Sequence, residues 1–307
     1  MLPDDCSISS EQRIEVRQSA RKALYEAGAV GVFPTPVDQV LAAAKVEVVP
    51  IDLDEGYLAR LRRTAESAGK ALLSAISKVW GVFDPKARIA FIDPATPKEK
   101  LPFLKLHEGG HAVLPWQSVF GLFQDCRKTL DPDVKAQFER EANVFASDVL
   151  FQLDQFTADA RDLAFGLKAP LNLARRYGAS VYATVRRYVS SSERICVVVV
   201  LNPPALAEEV GHFSQVRRAV ASPAFESRFP NFPWPHVVTP NDPIGALVPY
   251  GRMSSPRTLV LKDADGERHA FVGEAFKTSH QTFVLLQAET TLGRKLIVPM
   301  GGFAAKL

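Results

Sequence analysis

Ile14, Ala20, Ala23 and Leu24 fall roughly at helical spacing, which predicts a helix that Ser9-Ser10-Glu11 caps and that runs to about Ala27. Gly28 and Gly31 end it, and Phe33-Pro34-Thr35-Pro36 forms a short connector. Thr35 as N-cap and Pro36 at N1 predict a second helix that buries Val37, Val40, Leu41 and Ala44. Val46–Pro50 alternates as a strand does, and residues 55–78 read as a helix whose Arg60, Arg62 and Arg63 form a solvated basic face. Val79–Phe83 and Arg88–Asp93 read as two strands joined at Asp84-Pro85. Thr96-Pro97-Lys98-Glu99 carries helix-start signals, but Pro102 would interrupt a helix already under way, so the regular helix is placed at about Pro102–Val113, with Pro115 stopping it. Asp131-Pro132-Asp133 opens another, with Val134, Phe138, Ala142, Phe145 and Val149 on its apolar side.

Further on the period changes. Ile195–Leu201 is unbroken aliphatic and reads as a buried strand. The proline-rich segment from Ser222 to Pro243 reads as an ordered connector or binding loop rather than a helix. Thr258–Lys262, Glu267–Phe276, Thr282–Glu289 and Lys295–Pro299 form an expected meander, its first turn at Asp263–Gly266. The fold class expected is α+β: a helical domain with a small β-sheet over residues 1–192, then a smaller mixed α/β accessory domain over 193–307.

Composition narrows the classes open to such a chain. Hydrophobic residues make up 47% of the 307, enough for real cores. The 37 basic and 34 acidic residues leave a net charge of only +3, which gives no polyelectrolyte signal for nucleic acid. Cys6, Cys126 and Cys196 form neither a disulfide framework nor a Cys-x-x-Cys site, which fits a reducing compartment. MLPDDCSISS has no apolar run of the kind a signal peptide needs, and the seven-residue aliphatic run is too short to span a bilayer. A soluble cytoplasmic protein without a membrane partner is expected.

One stretch carries chemistry. In LPFLKLHEGGHAVLPWQ, at 101–117, His107 and His111 stand four apart, so on a helix both imidazoles reach one ion. Zn²⁺ accepts such nitrogens in a tetrahedral shell, and Glu108 beside them can act as general base. Two histidines can equally cap or line a helix, so a third ligand decides. Glu139 follows His111 by 28 residues, room for a loop and an antiparallel return, and Asn143 one turn later could hydrogen-bond a ligand histidine. Glu141 competes, but it stands about 200° round the helix from Glu139, so only one of them can face the metal. Either could be a surface glutamate. Leu114 and Gln117 exclude the metzincin plan, which needs Gly and His there. Gly109 and Gly110 cost about 1 kcal/mol each in a helix; a segment passing close to the metal or a tight helix crossing would explain them. The preceding strands offer an edge that can hold an extended peptide.

HEGGHAVLPW at 107–116 followed by EREANVFASDVL at 139–150 resembles the ImmA/IrrE family of metallopeptidases, with its Glu-x-x-Ala-Asn-x-Phe-Ala-like second motif. ARKALYEAGAVGVFPTPVDQVLAAAKVEVV at 20–49 is similar to that family's helix–Pro–helix–strand opening, and LNLARRYGASVYATVRRYV at 171–189 to the helical segment after the ligand helix. The resemblance covers about residues 15–190. It implies a zincin-like catalytic domain, metal ligands His107, His111 and Glu139 in preference to Glu141, Glu108 as base, and a narrow regulatory substrate, typically a helix-turn-helix repressor. The chain departs from the family at Val149-Leu150-Phe151-Gln152, where a Leu-Leu-Met-Pro-like end is common.

Residues 171–189 also have helix-turn-helix spacing, with Arg186 and Arg187 on the second helix, so nucleic acid is a conceivable partner there. His212, His236, His269 and His280 are candidates to polarise a carbonyl, though scattered histidines are more often surface residues. The leading expectation is a zinc-dependent endopeptidase. The alternative is a non-proteolytic regulator that keeps the zinc fold as a protein- or DNA-binding module.

Overall fold

The computed structural model describes residues 7–50, 81–117, 132–207 and 211–289. The helix expected at 55–78, the first residues of the strand expected at 79–83, the strand expected at 295–299, Cys6 and Cys126 lie outside them. The chain divides into two compact units, Met1–Ser192 and Glu193–Leu307, and both helices and sheets are present.

The first unit opens with α1 (Ser10–Glu26), started by a capping box: Ser9 Oγ accepts from the Gln12 amide at 3.2 Å, and the Gln12 side chain accepts from the Ser9 amide at 2.9 Å. Its buried side is Val16, Ala20, Ala23 and Leu24; Ile14, expected inside, is 58% exposed. Helix α2 (Val37–Ala43) begins at Pro36 with no side-chain cap. Thr35, expected to cap it, instead donates its hydroxyl to the carbonyl of Leu150 at 3.0 Å. That carbonyl is among the last of a helix and lacks an intrahelical donor, so it competes successfully for the hydroxyl.

A three-stranded sheet follows, in the order β1-β3-β2: β1 (Glu47–Pro50) runs parallel to β3 (Ile89–Ile92), and β2 (Gly81–Asp84) runs antiparallel to it. Asp84 closes the β2–β3 turn by accepting from the amides of Lys86 and Ala87. Helix α3 (Leu101–Val113) carries the His-Glu-x-x-His motif. It starts one residue earlier than expected because Pro102 sits in the first turn, where its missing N–H would have had no partner. Leu114 is extended and ends the helix, and residues 115–117 resume a helical turn, so Pro115 redirects the chain rather than ending helicity.

Helix α4 (Pro132–Leu150) packs against both α1 and α3. A side chain on Gly110 would place its Cβ 3.3 Å from Ala142 Cα and 3.1 Å from the Phe145 ring, and one on Gly109 would overlap Leu41. Close helix packing is therefore what the two glycines permit. Beyond α4, Gln152 adopts a positive φ of 52° and is buried. Its amide nitrogen donates to the carbonyls of Ala29 and Val32 and its oxygen accepts from the Gly31 amide, tying the end of α4 to the connector after α1.

Helices α5 (Gln155–Arg161), α6 (Lys168–Tyr177) and α7 (Val181–Ser190) complete the unit. Gly178, at φ 63°, ends α6, and Ser180 caps α7 through the Ala183 amide. Arg187, a candidate for nucleic-acid contact, is turned inward: it donates to Asp148 Oδ1 at 2.8 Å and to the Leu153 carbonyl at 3.0 Å. Arg186 lies over the Tyr182 ring.

In the second unit the strands run in the order β5-β6-β4-β10-β9-β8, with β7 (Val237–Val238) against β6. These are β4 (Cys196–Leu201), β5 (Ala205–Ala207), β6 (Gly211–Ala221), β8 (Arg257–Lys262), β9 (Arg268–Lys277) and β10 (Thr282–Ala288), and every pairing on that path is antiparallel. The proline-rich segment, expected to be non-helical, begins with helix α8 (Pro223–Arg228), because Ser222 caps it and Pro223 fits the first turn. Its later part, Val238 included, lines a mostly apolar groove of about 250 Å³ with Ile244, Leu261 and Lys262.

The Arg187–Asp148 pair yields a test of the first unit. Its side chains are only 13% and 3% exposed, so removing one partner leaves a buried charge. Arg187→Met is expected to cost about 3–5 kcal/mol, read from denaturant unfolding.

Candidate metal centre

Two elements bring the chemistry together. Helix α3 presents His107 and His111 one turn apart, with ring centroids 5.0 Å apart at 88°. Helix α4 brings Glu139 across from them. His107 Nε2 is 3.2 Å from Glu139 Oε2, and His111 Nε2 is 3.9 Å from Glu139 Oε1. Donor atoms of the three residues all lie within 4.8 Å of one another. A tetrahedral zinc shell with bonds of about 2.0–2.2 Å separates its donors by about 3.3–3.6 Å, so this spacing suits one cation.

The outer ring nitrogens are held as well. His107 Nδ1 is 3.0 Å from Asn143 Oδ1, the contact expected from the one-turn spacing of Glu139 and Asn143. His111 Nδ1 is 2.7 Å from Gln117 Oε1. With an amide oxygen on each Nδ1, both Nε2 atoms are left toward Glu139, as a metal-binding histidine pair requires. Glu141 does not join them. It is 1% exposed and accepts from Trp116 Nε1, Gln117 Nε2 and Gln137 Nε2 at 2.7, 2.7 and 2.9 Å. Glu108 is buried beside the pair, and its charge acts on His107.

Sequence reasoning missed Trp116, Gln117 and Gln137 as parts of the site. Gln117 entered it only as the residue that excludes a metzincin; its usable signal was its position six residues after His111, beyond a proline. Among the four other histidines, all in the second unit, His212, His236 and His280 are exposed. His269 engages Asp263 at 2.6 Å, and with Glu267 these make a second group with metal-compatible donors. Both Asp263 oxygens are already engaged, however: Oδ1 by the amides of Asp265 and Glu267 in the β8–β9 turn, and Oδ2 by His269.

Electrostatics at the first cluster favour a cation. Burial is the largest influence on His107 and draws it toward the neutral form, but the hydrogen bond to Glu139 and the charges of Glu108 and Glu139 outweigh it, so its pKa lies above 6.5. Burial likewise works against ionised Glu139, yet the His107 hydrogen bond and the charges of His111, His107 and Lys135 bring it down to about 2.

No protein-family model and no curated protein matches the chain. Among solved structures it is similar to a Mycobacterium tuberculosis transcriptional regulator, at 13% identity over 91% of this chain and 80% of that one, with a TM-score of 0.49. That likeness is too slight to carry a functional argument. Among the described residues, no helix is long and apolar enough to cross a membrane.

The two shifts set a pH window for the metal-free chain. Depressed Glu139 contributes stability above its ordinary 4.5 that is lost as pH falls toward 2, and raised His107 contributes stability below 6.5 that is lost as pH rises through its folded value. The pair therefore stabilises most between about 4.5 and 6.5. Melting temperatures of chelator-stripped protein should show this rise, and Glu139→Gln should flatten it.

Proposed function

We propose that the chain is a zinc-dependent endopeptidase of the ImmA/IrrE type, with a zincin-like catalytic domain in the first unit. The observation that carries the reading is the convergence of His107, His111 and Glu139 on one point with both outer imidazole nitrogens engaged. Bound there, zinc supplies Lewis acidity that polarises a carbonyl and acidifies water. His107, His111 and Glu139 would hold the ion, three protein ligands being the number that leaves a catalytic zinc open to water. Glu108 takes the proton of the attacking water and returns it to the leaving amine. Its burial beside His107 keeps the carboxylate poorly solvated and close to the chemistry.

The ImmA/IrrE resemblance supports a regulatory protein as substrate, a helix-turn-helix repressor in particular. Of the two arginines that suggest a nucleic-acid contact on α7, Arg187 is committed to Asp148, which weakens the binding-module alternative. A purely structural zinc site would also have no use for a carboxylate at Glu108.

Glu108→Gln separates the two readings. Metal analysis should still find zinc, while cleavage of the repressor falls by about 10²–10⁴. Survival of the biological activity in that variant would sink the peptidase reading. Glu139→Ala should lose the zinc itself.

A further inference from the structure

We infer that Glu141, acting through Gln117, fixes the tautomer in which His111 meets the cation; the inference rests on the metal-site reading above. The amide nitrogen of Gln117 donates to Glu141 Oε2 at 2.7 Å and to the Phe138 carbonyl at 3.1 Å. A backbone carbonyl can only accept. Glu141 accepts too, because the same Oε2 takes the indole N–H of Trp116, a group that only donates. Turning the Gln117 amide over would set its oxygen against two acceptor oxygens, so its orientation is determined by these partners.

The consequence passes to the imidazole. Gln117 Oε1 faces His111 Nδ1 at 2.7 Å and carries no hydrogen, so Nδ1 must donate. His111 then bears its proton on Nδ1 and directs the lone pair of Nε2 at the point shared with His107 and Glu139. Glu141 is 1% exposed and Gln117 is 4% exposed. Burying a carboxylate is costly, and an apolar residue of similar volume would fill the same space at lower cost. A fixed orientation for the amide is what the carboxylate adds. Glu141 is therefore a positioning residue that touches neither cation nor substrate, and its chain neighbour Glu139 has the separate task of ligation.

The test reads the tautomer directly. The full chain is labelled with ¹⁵N-histidine, stripped of metal, and its ring nitrogens are recorded in ¹⁵N–¹H correlation spectra at mildly alkaline pH. Wild-type His111 should show protonated Nδ1. Gln117→Met and Glu141→Met, which keep volume and remove the hydrogen bonds, should shift His111 toward protonated Nε2. Their zinc affinity, from competition with a chromophoric chelator, should fall about 10–100-fold. Glu141→Gln can keep an oxygen toward Gln117 and Trp116 and should retain both wild-type tautomer and affinity. Protonated Nε2 in the wild type would overturn the inference whatever the variants do, so misfolding of Glu141→Met does not protect it. Unchanged tautomer and affinity in Gln117→Met would overturn it equally. A wild type that binds no zinc but shows protonated Nδ1, lost in Gln117→Met, would defeat the metal reading and leave the relay standing.

Discussion

The approach of α3 to α4 is the constraint on which the rest of the first unit depends. Two helices come this close only where side chains are absent or small, and here Gly110 faces Ala142. His111 follows Gly110 directly, and Glu139 precedes Ala142 by one turn, so the contact that brings the backbones together also aligns the donors. Without it the motif on α3 would be two histidines beside a helix, with no carboxylate in range. The intrinsic penalty of glycine in a helix is offset by this packing.

The site so formed is biased toward positive charge before any ion is considered. Glu139 and Glu108 raise a buried imidazole against its own desolvation, and the two histidines depress Glu139. Such opposed shifts within one cluster are characteristic of functional sites. His107 Nε2 and Glu139 Oε2 stand at hydrogen-bond distance, and a divalent cation between them would satisfy both groups at once.

Much of this was legible in the sequence where the relevant spacing is local. One helical turn separates His107 from His111 and Glu139 from Asn143, so their shared faces follow from periodicity. The two glutamates stand about 200° apart round α4, and in the structure Glu139 joins the donor cluster while Glu141 is buried among Trp116, Gln117 and Gln137. What could not be read depends on partners brought together by tertiary structure. Thr35 abandons a capping role because the end of a helix 115 residues later offers a carbonyl. Gln117 acquires its role only once Leu114 turns the chain back toward α4. Strand β6 escaped detection because its buried positions include Ser214 and Arg218 among the valines, which hides the alternation.

Gln152 has a wider consequence. Its hydrogen bonds join the turn just beyond α4 to residues 29–32, about 120 positions earlier in the chain. The helix that bears Glu139 therefore cannot fray from its C-terminal end without releasing the segment that follows α1. Local opening at that end is thereby coupled to opening of the loop after α1, and backbone amides on both sides should exchange together.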